Sequence, residues 1–211
     1  MSGTITPQGA KNEALQILCA TLLTSEEVIV NNIPDILDVN NLIQLLAESG
    51  VEVNKLSPNR YSFKANNLNE SFLTGPDYLV RSRSLRGSLM LTGPLLARLG
   101  RAVIPQPGGD KIGRRKLDTH FLGMRKLGAE LHYNDQSGAC EILADKLTGT
   151  YILLDEASVT GTANVVMAAV MAIGWTWFDR DPDAPWFDAA KLPSSWIGTA
   201  KMPAVAALTS P

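Results

Sequence analysis

Cysteine, net charge and long apolar runs are all scarce in this sequence, and each scarcity excludes something. Two cysteines occur in 211 residues. Cys19 falls in an apolar helical run and Cys140 in a short strand-like segment, with no zinc-ligand spacing around either. A disulfide scaffold and a zinc site are therefore set aside, and a reducing compartment is indicated. The formal net charge is only −2, which gives no general attraction to nucleic acid or to a membrane surface. The opening MSGTITPQGAKNEA has no apolar signal-peptide core. The longest apolar stretches are interrupted helices, too short and too polar to span a bilayer. These absences point to a soluble cytoplasmic domain, and a hydrophobic content of 45% is enough for one buried core.

What the sequence does contain is an internal repeat. Three apolar helical segments recur roughly every 75 residues: Ala14–Leu23, Ser88–Leu99 and Asn164–Ile173. The first two run into strand-like EVIVNNI and RAVIPQ. A second helix follows in each of those units, Val39–Gly50 and Thr119–Gly128, and both end in the glycine a helix C-terminus prefers. Matching alternating strands come next, VEVNKL and AELHYN, then the closing strands RYSFKA and ACEILA. The third unit begins with TYILLD and its helix. The expected unit is β-α-β-α-β-β, and strands alternating with helices predict α/β layering. An open doubly wound sheet would explain the alternation, but not a closing hairpin in each repeat.

The last stretch breaks this pattern. All four tryptophans and five of the twelve prolines lie from Trp175 onward, with no sustained period of either kind. The predicted domain therefore covers residues 1–173. Residues 174–211 are read as a tail outside the fold, foreign to the domain or else a divergent natural terminus.

Four segments could carry chemistry. The densest is Pro107–His120, PGGDKIGRRKLDTH, where Lys111, Arg114, Arg115 and Lys116 lie between Asp110 and Asp118. Its glycines permit close backbone approach, and clustered Arg and Lys suit an anionic, phosphate-bearing ligand. It lacks the ending of a Walker loop, and a solvated basic loop is the plain alternative. Gly9–Asn12 predicts a strand-to-helix junction whose amides and Lys11 favour an anion. Arg81–Ser88 puts three arginines before an apolar helix. That placement opposes the helix dipole and implies an anionic partner for one of them. Asp155–Thr162 lies between a strand and the third helix, where its Ser and Thr could simply cap. Three of these segments are expected at strand-to-helix junctions and the fourth before a second helix, the edge at which α/β sheets bind ligands.

GAKNEALQILCATLLT, SLRGSLMLTGPLLARLG, PGGDKIGRRKLDTHFLGMRKLGA and DEASVTGTANVVMAAV together resemble the UDP-N-acetylglucosamine enolpyruvyl transferases, over roughly residues 3–173 and in the right order. The resemblance implies a pair of inverse α/β barrel domains, each built from three βαβαββ units, of which this chain holds one domain incomplete in its third unit, with its first strand cut short. It implies transfer of the enolpyruvyl group from phosphoenolpyruvate to the 3-hydroxyl of UDP-N-acetylglucosamine, in peptidoglycan precursor synthesis, without a cofactor or metal. Lys11, Asn12 and Arg115 then match phosphoenolpyruvate-binding positions, and Arg86 an arginine of the substrate site. Lys116, Leu117, Asp118, Thr119, His120, Ser158, Val159 and Thr160 match segments lining the nucleotide-sugar site.

Asp110 takes the place where most relatives have the cysteine that acts as general acid and is alkylated by fosfomycin. Glu156 stands for a common lysine, and Lys116 for a common proline. A carboxyl group can deliver a proton if its pKa is raised, whereas Lys111, Arg114 and Arg115 would lower it. Proton donation and a role in product positioning or release both stay open for Asp110. The family's second domain, which supplies an aspartate base and further arginines, has no counterpart in this chain. Two other readings compete with the transferase: a fragment that at most binds nucleotide sugar, and the sister enzyme acting on shikimate 3-phosphate. The sister's glycine-rich start of the second unit is replaced here by SLRGSLML.

Overall fold

The computed structural model describes residues 4, 8–105, 117–136, 138–154 and 158–179. Helix α1 (Lys11–Ala20), prolonged by a 3-10 turn Thr21–Leu23, leads into β1 (Glu27–Val30). Helix α2 (Leu37–Glu48) and the strands β2 (Glu52–Ser57) and β3 (Arg60–Lys64) complete the first unit. Two helices then intervene, α3 (Glu70–Leu73) and α4 (Pro76–Ser84). The second unit follows: a 3-10 stretch Arg86–Leu91, α5 (Thr92–Leu99), β4 (Arg101–Pro105), α6 (Asp118–Lys126), β5 (Glu130–Asn134) and β6 (Ala139–Leu143). The third contributes β7 (Tyr151–Leu153), α7 (Val159–Ala169) and β8 (Trp177–Asp179).

The repeat read from the sequence is present in three dimensions. Each of the first two units forms a three-stranded sheet with its last strand in the middle, β1-β3-β2 and β4-β6-β5. The middle strand pairs antiparallel on both sides, so Phe63 faces Val28 and Val53, and Ile142 faces Ala102 and Leu131. Phe63 and Ile142 are both fully buried. They fill equivalent places under the helices, while the outer strands β2 and β5 are largely exposed. The glycines after α2 and α6 also correspond. Gly50 and Gly128 have φ of +94° and +98°, a left-handed turn that a residue with a Cβ adopts only at a cost.

Helices, not strands, occupy the centre. Every residue from Ser88 to Leu96 is buried, as expected for a segment that is apolar on all sides. Helix α5 packs on α7, and α1 on α2 and on the Arg86–Leu91 stretch. One core runs through all three units, with Leu18, Leu22, Leu46, Leu96, Met124 and Val165 at 1% exposure or less. Arg98 ties the second unit to the backbone of the first, donating through Nη1 to Leu22 O (2.7 Å) and through Nη2 to Ala65 O (3.0 Å).

Two expectations need correction. Arg81–Ser88 is not a strand-to-helix loop. Arg81 and Arg83 lie in the last turn of α4, where cations complement the helix dipole rather than oppose it. Arg81 does have an anionic partner, Glu48 Oε1 at 2.8 Å. Among the described residues the unit's leading strand is present only in the third unit, as β7, because α3 and α4 lead into the second. Asn69 starts α3 by accepting from Phe72 N (3.1 Å), and Pro76 opens α4, both standard start signals.

The fold also runs past the expected boundary at residue 173. β8 pairs parallel with β7, Trp177 opposite Tyr151 and Asp179 opposite Leu153. Gly149 N donates to Ile173 O (2.7 Å), and a Cβ on Gly149 would sit 2.3 Å from Trp175 O. Residues 180–211 lie outside the described residues. Among the described residues no helix is long and apolar enough to cross a membrane.

Candidate active site

Arg86 begins the 3-10 stretch after an extended Leu85, and the next residue brings this stretch onto α1. A Cβ on Gly87 would meet both δ-methyls of Leu15 at 3.2 Å. The start of α7 lies against the start of α6, since a Cβ on Gly161 would come within 2.9 Å of Thr119 Cγ2. Ser158 caps α7: its Oγ accepts from Gly161 N at 3.1 Å, and its carbonyl accepts from Thr162 Oγ1 at 2.7 Å. The capping expected of this Ser/Thr segment is thus observed. Val159 and Thr160 follow on the exposed side of the helix start. Leu117 precedes α6, and Asp118 places a carboxylate in its first turn, where the dipole favours it.

Behind these helix starts lies a buried polar network. Asn164 of α7 is fully buried, and His120 of α6 is 2% exposed. Asn164 Oδ1 accepts from Gly93 N (2.7 Å), and its Nδ2 donates to Leu89 O (3.0 Å) and lies 3.0 Å from His120 Nδ1. Gly93 is glycine for a steric reason, because a Cβ there would be 2.2 Å from Asn164 O. The imidazole is pushed down to about 4, first by burial and then by the Arg86 cation beside it. It is therefore neutral at physiological pH. Sequence reasoning placed His120 in a ligand-lining segment; the structure turns its ring into the protein. Thr119 is buried as well.

On α1, Lys11 Nζ holds Asp38 Oδ2 at 2.9 Å, both about half exposed. Asp38 lies in the first turn of α2. The pair offsets a cation at a helix start, and because it is solvated it contributes little stability. Asn12 is exposed one residue on. Asp110, Arg115 and Lys116, with Lys111, Arg114 and Glu156, lie outside the described residues. In sequence the first five fall between β4 and α6, and Glu156 falls between β7 and α7.

Among the described residues no group of three His, Cys, Asp or Glu side chains could hold a metal. Both cysteines are buried and free, and burial raises each thiol above its usual range. Neither has the lowered pKa of a reactive thiolate. The described arrangement suits an anionic ligand: the starts of α6 and α7 lie together, and the Arg86 stretch packs between them and α1.

The family model for EPSP synthase (3-phosphoshikimate 1-carboxyvinyltransferase) matches residues 1–183. The chain belongs to the EPSP synthase family. Within it, the chain is 63% identical over 176 residues to a UDP-N-acetylglucosamine 1-carboxyvinyltransferase of Bacteroides thetaiotaomicron, covering 83% of this chain and 41% of that protein. The enzyme of the same name from Porphyromonas gingivalis is 57% identical over the same coverage. The chain thus spans about two fifths of the length of these relatives. Among solved structures, the enolpyruvyl transferase NikO from Streptomyces tendae superposes with a TM-score of 0.67 at 20% identity, covering 84% of this chain and 40% of that one. An EPSP synthase from Acinetobacter baumannii gives 0.62 at 18% identity, covering 88% and 41%. These likenesses establish the enolpyruvyl transferase fold, in agreement with the repeated α/β units described above.

Proposed function

We propose that this chain forms one wall of the active site of an enzyme that transfers the enolpyruvyl group from phosphoenolpyruvate to the 3-hydroxyl of UDP-N-acetylglucosamine, a cytoplasmic step in peptidoglycan precursor synthesis. The observation that carries this reading is the 63% identity to an enzyme named for that reaction, over a segment that includes Arg86 and the starts of α6 and α7. A carboxylate, a phosphate and a diphosphate in one cleft need several fixed cations. In this reading Lys11, Asn12 and Arg115 hold phosphoenolpyruvate. Arg86, the segment Lys116–His120 and the α7 start Ser158–Thr160 hold the nucleotide sugar. Asn12, Val159 and Thr160 are exposed and accessible, whereas Thr119 and His120 belong to the wall through the helix start they build. Lys11 would exchange its solvated partner Asp38 for a ligand anion.

Asp110 takes the catalytic position. The rest of the cleft, including the base that accepts the sugar proton, is assigned to a second domain, in keeping with the two fifths of the relatives' length that the chain spans. The acceptor is tested with the chain extended by that second domain. Phosphate release from phosphoenolpyruvate is expected with UDP-N-acetylglucosamine and not with shikimate 3-phosphate; the reverse preference would move the protein to the sister activity.

Fosfomycin supplies an independent prediction. A carboxylate is a much poorer nucleophile than a thiolate, so the extended enzyme keeps its full rate after incubation with fosfomycin. Mass spectrometry of the same sample is expected to show no adduct on the peptide containing Asp110, and an adduct there would refute the assignment.

A further inference from the structure

The side-chain amide of Asn164 meets three different segments, and its partners leave no freedom in how it is read. A backbone N–H can only donate and a carbonyl can only accept. The contact from Gly93 N at 2.7 Å therefore identifies Oδ1, and the contact to Leu89 O at 3.0 Å identifies Nδ2, without any choice of amide orientation. Nδ2 has two hydrogens. One goes to Leu89, and the other is available to His120 Nδ1 at 3.0 Å. A nitrogen that accepts cannot carry a proton, so His120 is protonated at Nε2 alone.

We infer that Asn164 is a positioning residue of the site: it locks His120 as the neutral Nε2–H tautomer and fixes the Arg86-bearing stretch against the starts of α6 and α7. Leu89 is three residues beyond Arg86, Gly93 lies in the first turn of α5, His120 in the first turn of α6, and Asn164 six residues after the cap Ser158. One amide thus sets the mutual placement of every described nucleotide-sugar element. A second positive charge next to Arg86 is avoided by the same contact. Among the described residues Arg86 is the charged group that acts on the ring, and the other named partners, the Leu89 carbonyl and the Gly93 amide, are uncharged. That this placement serves nucleotide-sugar binding rests on the function proposed above; the tautomer does not.

The test is long-range 15N–1H spectroscopy of the full chain, which has two histidines, so that His120 and the exposed His132 are the only imidazoles to assign. In the unmodified chain His120 is expected as the neutral ring with its proton on Nε2. The opposite tautomer, or an imidazolium at neutral pH, would overturn the inference. In Asn164→Asp a carboxylate acceptor replaces the donor, and a proton is expected to appear on Nδ1; in Asn164→Ala the donor is lost, and the neutral ring is expected to sample both tautomers. Retention of the unmodified pattern in a folded variant would contradict the role of Asn164. If neither variant folds, the spectrum of the unmodified chain decides alone. UDP-N-acetylglucosamine titrated into the same proteins, each extended by the second domain, separates the two readings. Absence of any shift in the unmodified chain would strike the proposed function while leaving the tautomer intact, whereas binding that is equally tight in a folded variant would strike the positioning role.

Discussion

Replacing Asp110 by asparagine in the chain extended by a second domain lowers kcat by about 10²–10⁴-fold, the usual contribution of a general acid. The KM values move far less, because asparagine keeps the shape and hydrogen-bonding reach of the side chain but has no proton to give. The prediction also separates the two roles open to Asp110. A proton donor is missed in the chemical step, so the single-turnover rate falls with kcat. A residue that only helps product leave is missed afterwards, so the single-turnover rate stays near that of the unmodified enzyme while steady-state kcat drops. Asp110→Cys completes the series: it is expected to retain turnover and to become open to fosfomycin alkylation, since it restores the thiol that most relatives are expected to carry. The neighbours Lys111, Arg114 and Arg115 make the question worth asking. Their charge favours the ionised carboxylate, and a working acid must hold its proton against them.

The second large effect concerns Gly93. A methyl group added there would lie 2.2 Å from Asn164 O and 2.6 Å from Asn164 Oδ1. One of these atoms is backbone and the other belongs to a fully hydrogen-bonded buried amide, so neither can move aside alone. Helices α5 and α7 must separate. Overpacking of a rigid core costs about 3 kcal/mol at its upper range, and the buried network loses its geometry as well. For a domain of this size that corresponds to a fall in Tm of roughly 6–12 °C. Gly93→Ala, followed by calorimetry, is expected to show this fall. A Tm within a degree or two of the unmodified chain would mean that α5 and α7 are not packed as described.

Much of the fold was legible because it repeats. The two helices ending at Gly50 and Gly128, and the hairpins after them, carry the same local chemistry twice, and each copy supports the other. Burial of Cys19 within an apolar helix and the capping role of Ser158 were legible for the same local reasons. What escaped was set by contacts distant in sequence. The insertion of β3 between β1 and β2 depends on Phe63 serving two neighbours, which no local pattern records. The pairing of β8 with β7 was hidden because Trp177–Asp179 opens a stretch of unusual composition, and a three-residue strand has too few residues to show a period. Helix α4 was obscured by its arginines, which looked like a helix start and proved to be a helix end. Of the candidate site, the Arg86 stretch and the segments at the α6 and α7 starts stood out in the sequence by charge, glycine and serine. Asn164 was passed over, since a single polar residue at the head of an apolar helix looks like a boundary. Its meaning appears only when Gly93, Leu89 and His120, up to 75 residues away in sequence, are brought to the same amide.

The claim on which the account turns is that this chain supplies one wall of a cleft that requires another. A site open on one side cannot exclude water or assemble its full set of charges. Phosphate release should be followed with phosphoenolpyruvate and UDP-N-acetylglucosamine together, for the 211-residue chain alone and for the chain extended by the second domain of a close relative. The account predicts no release above background from the chain alone and sustained turnover from the extended protein. Turnover by the chain alone, or none from a folded extended protein, would contradict it.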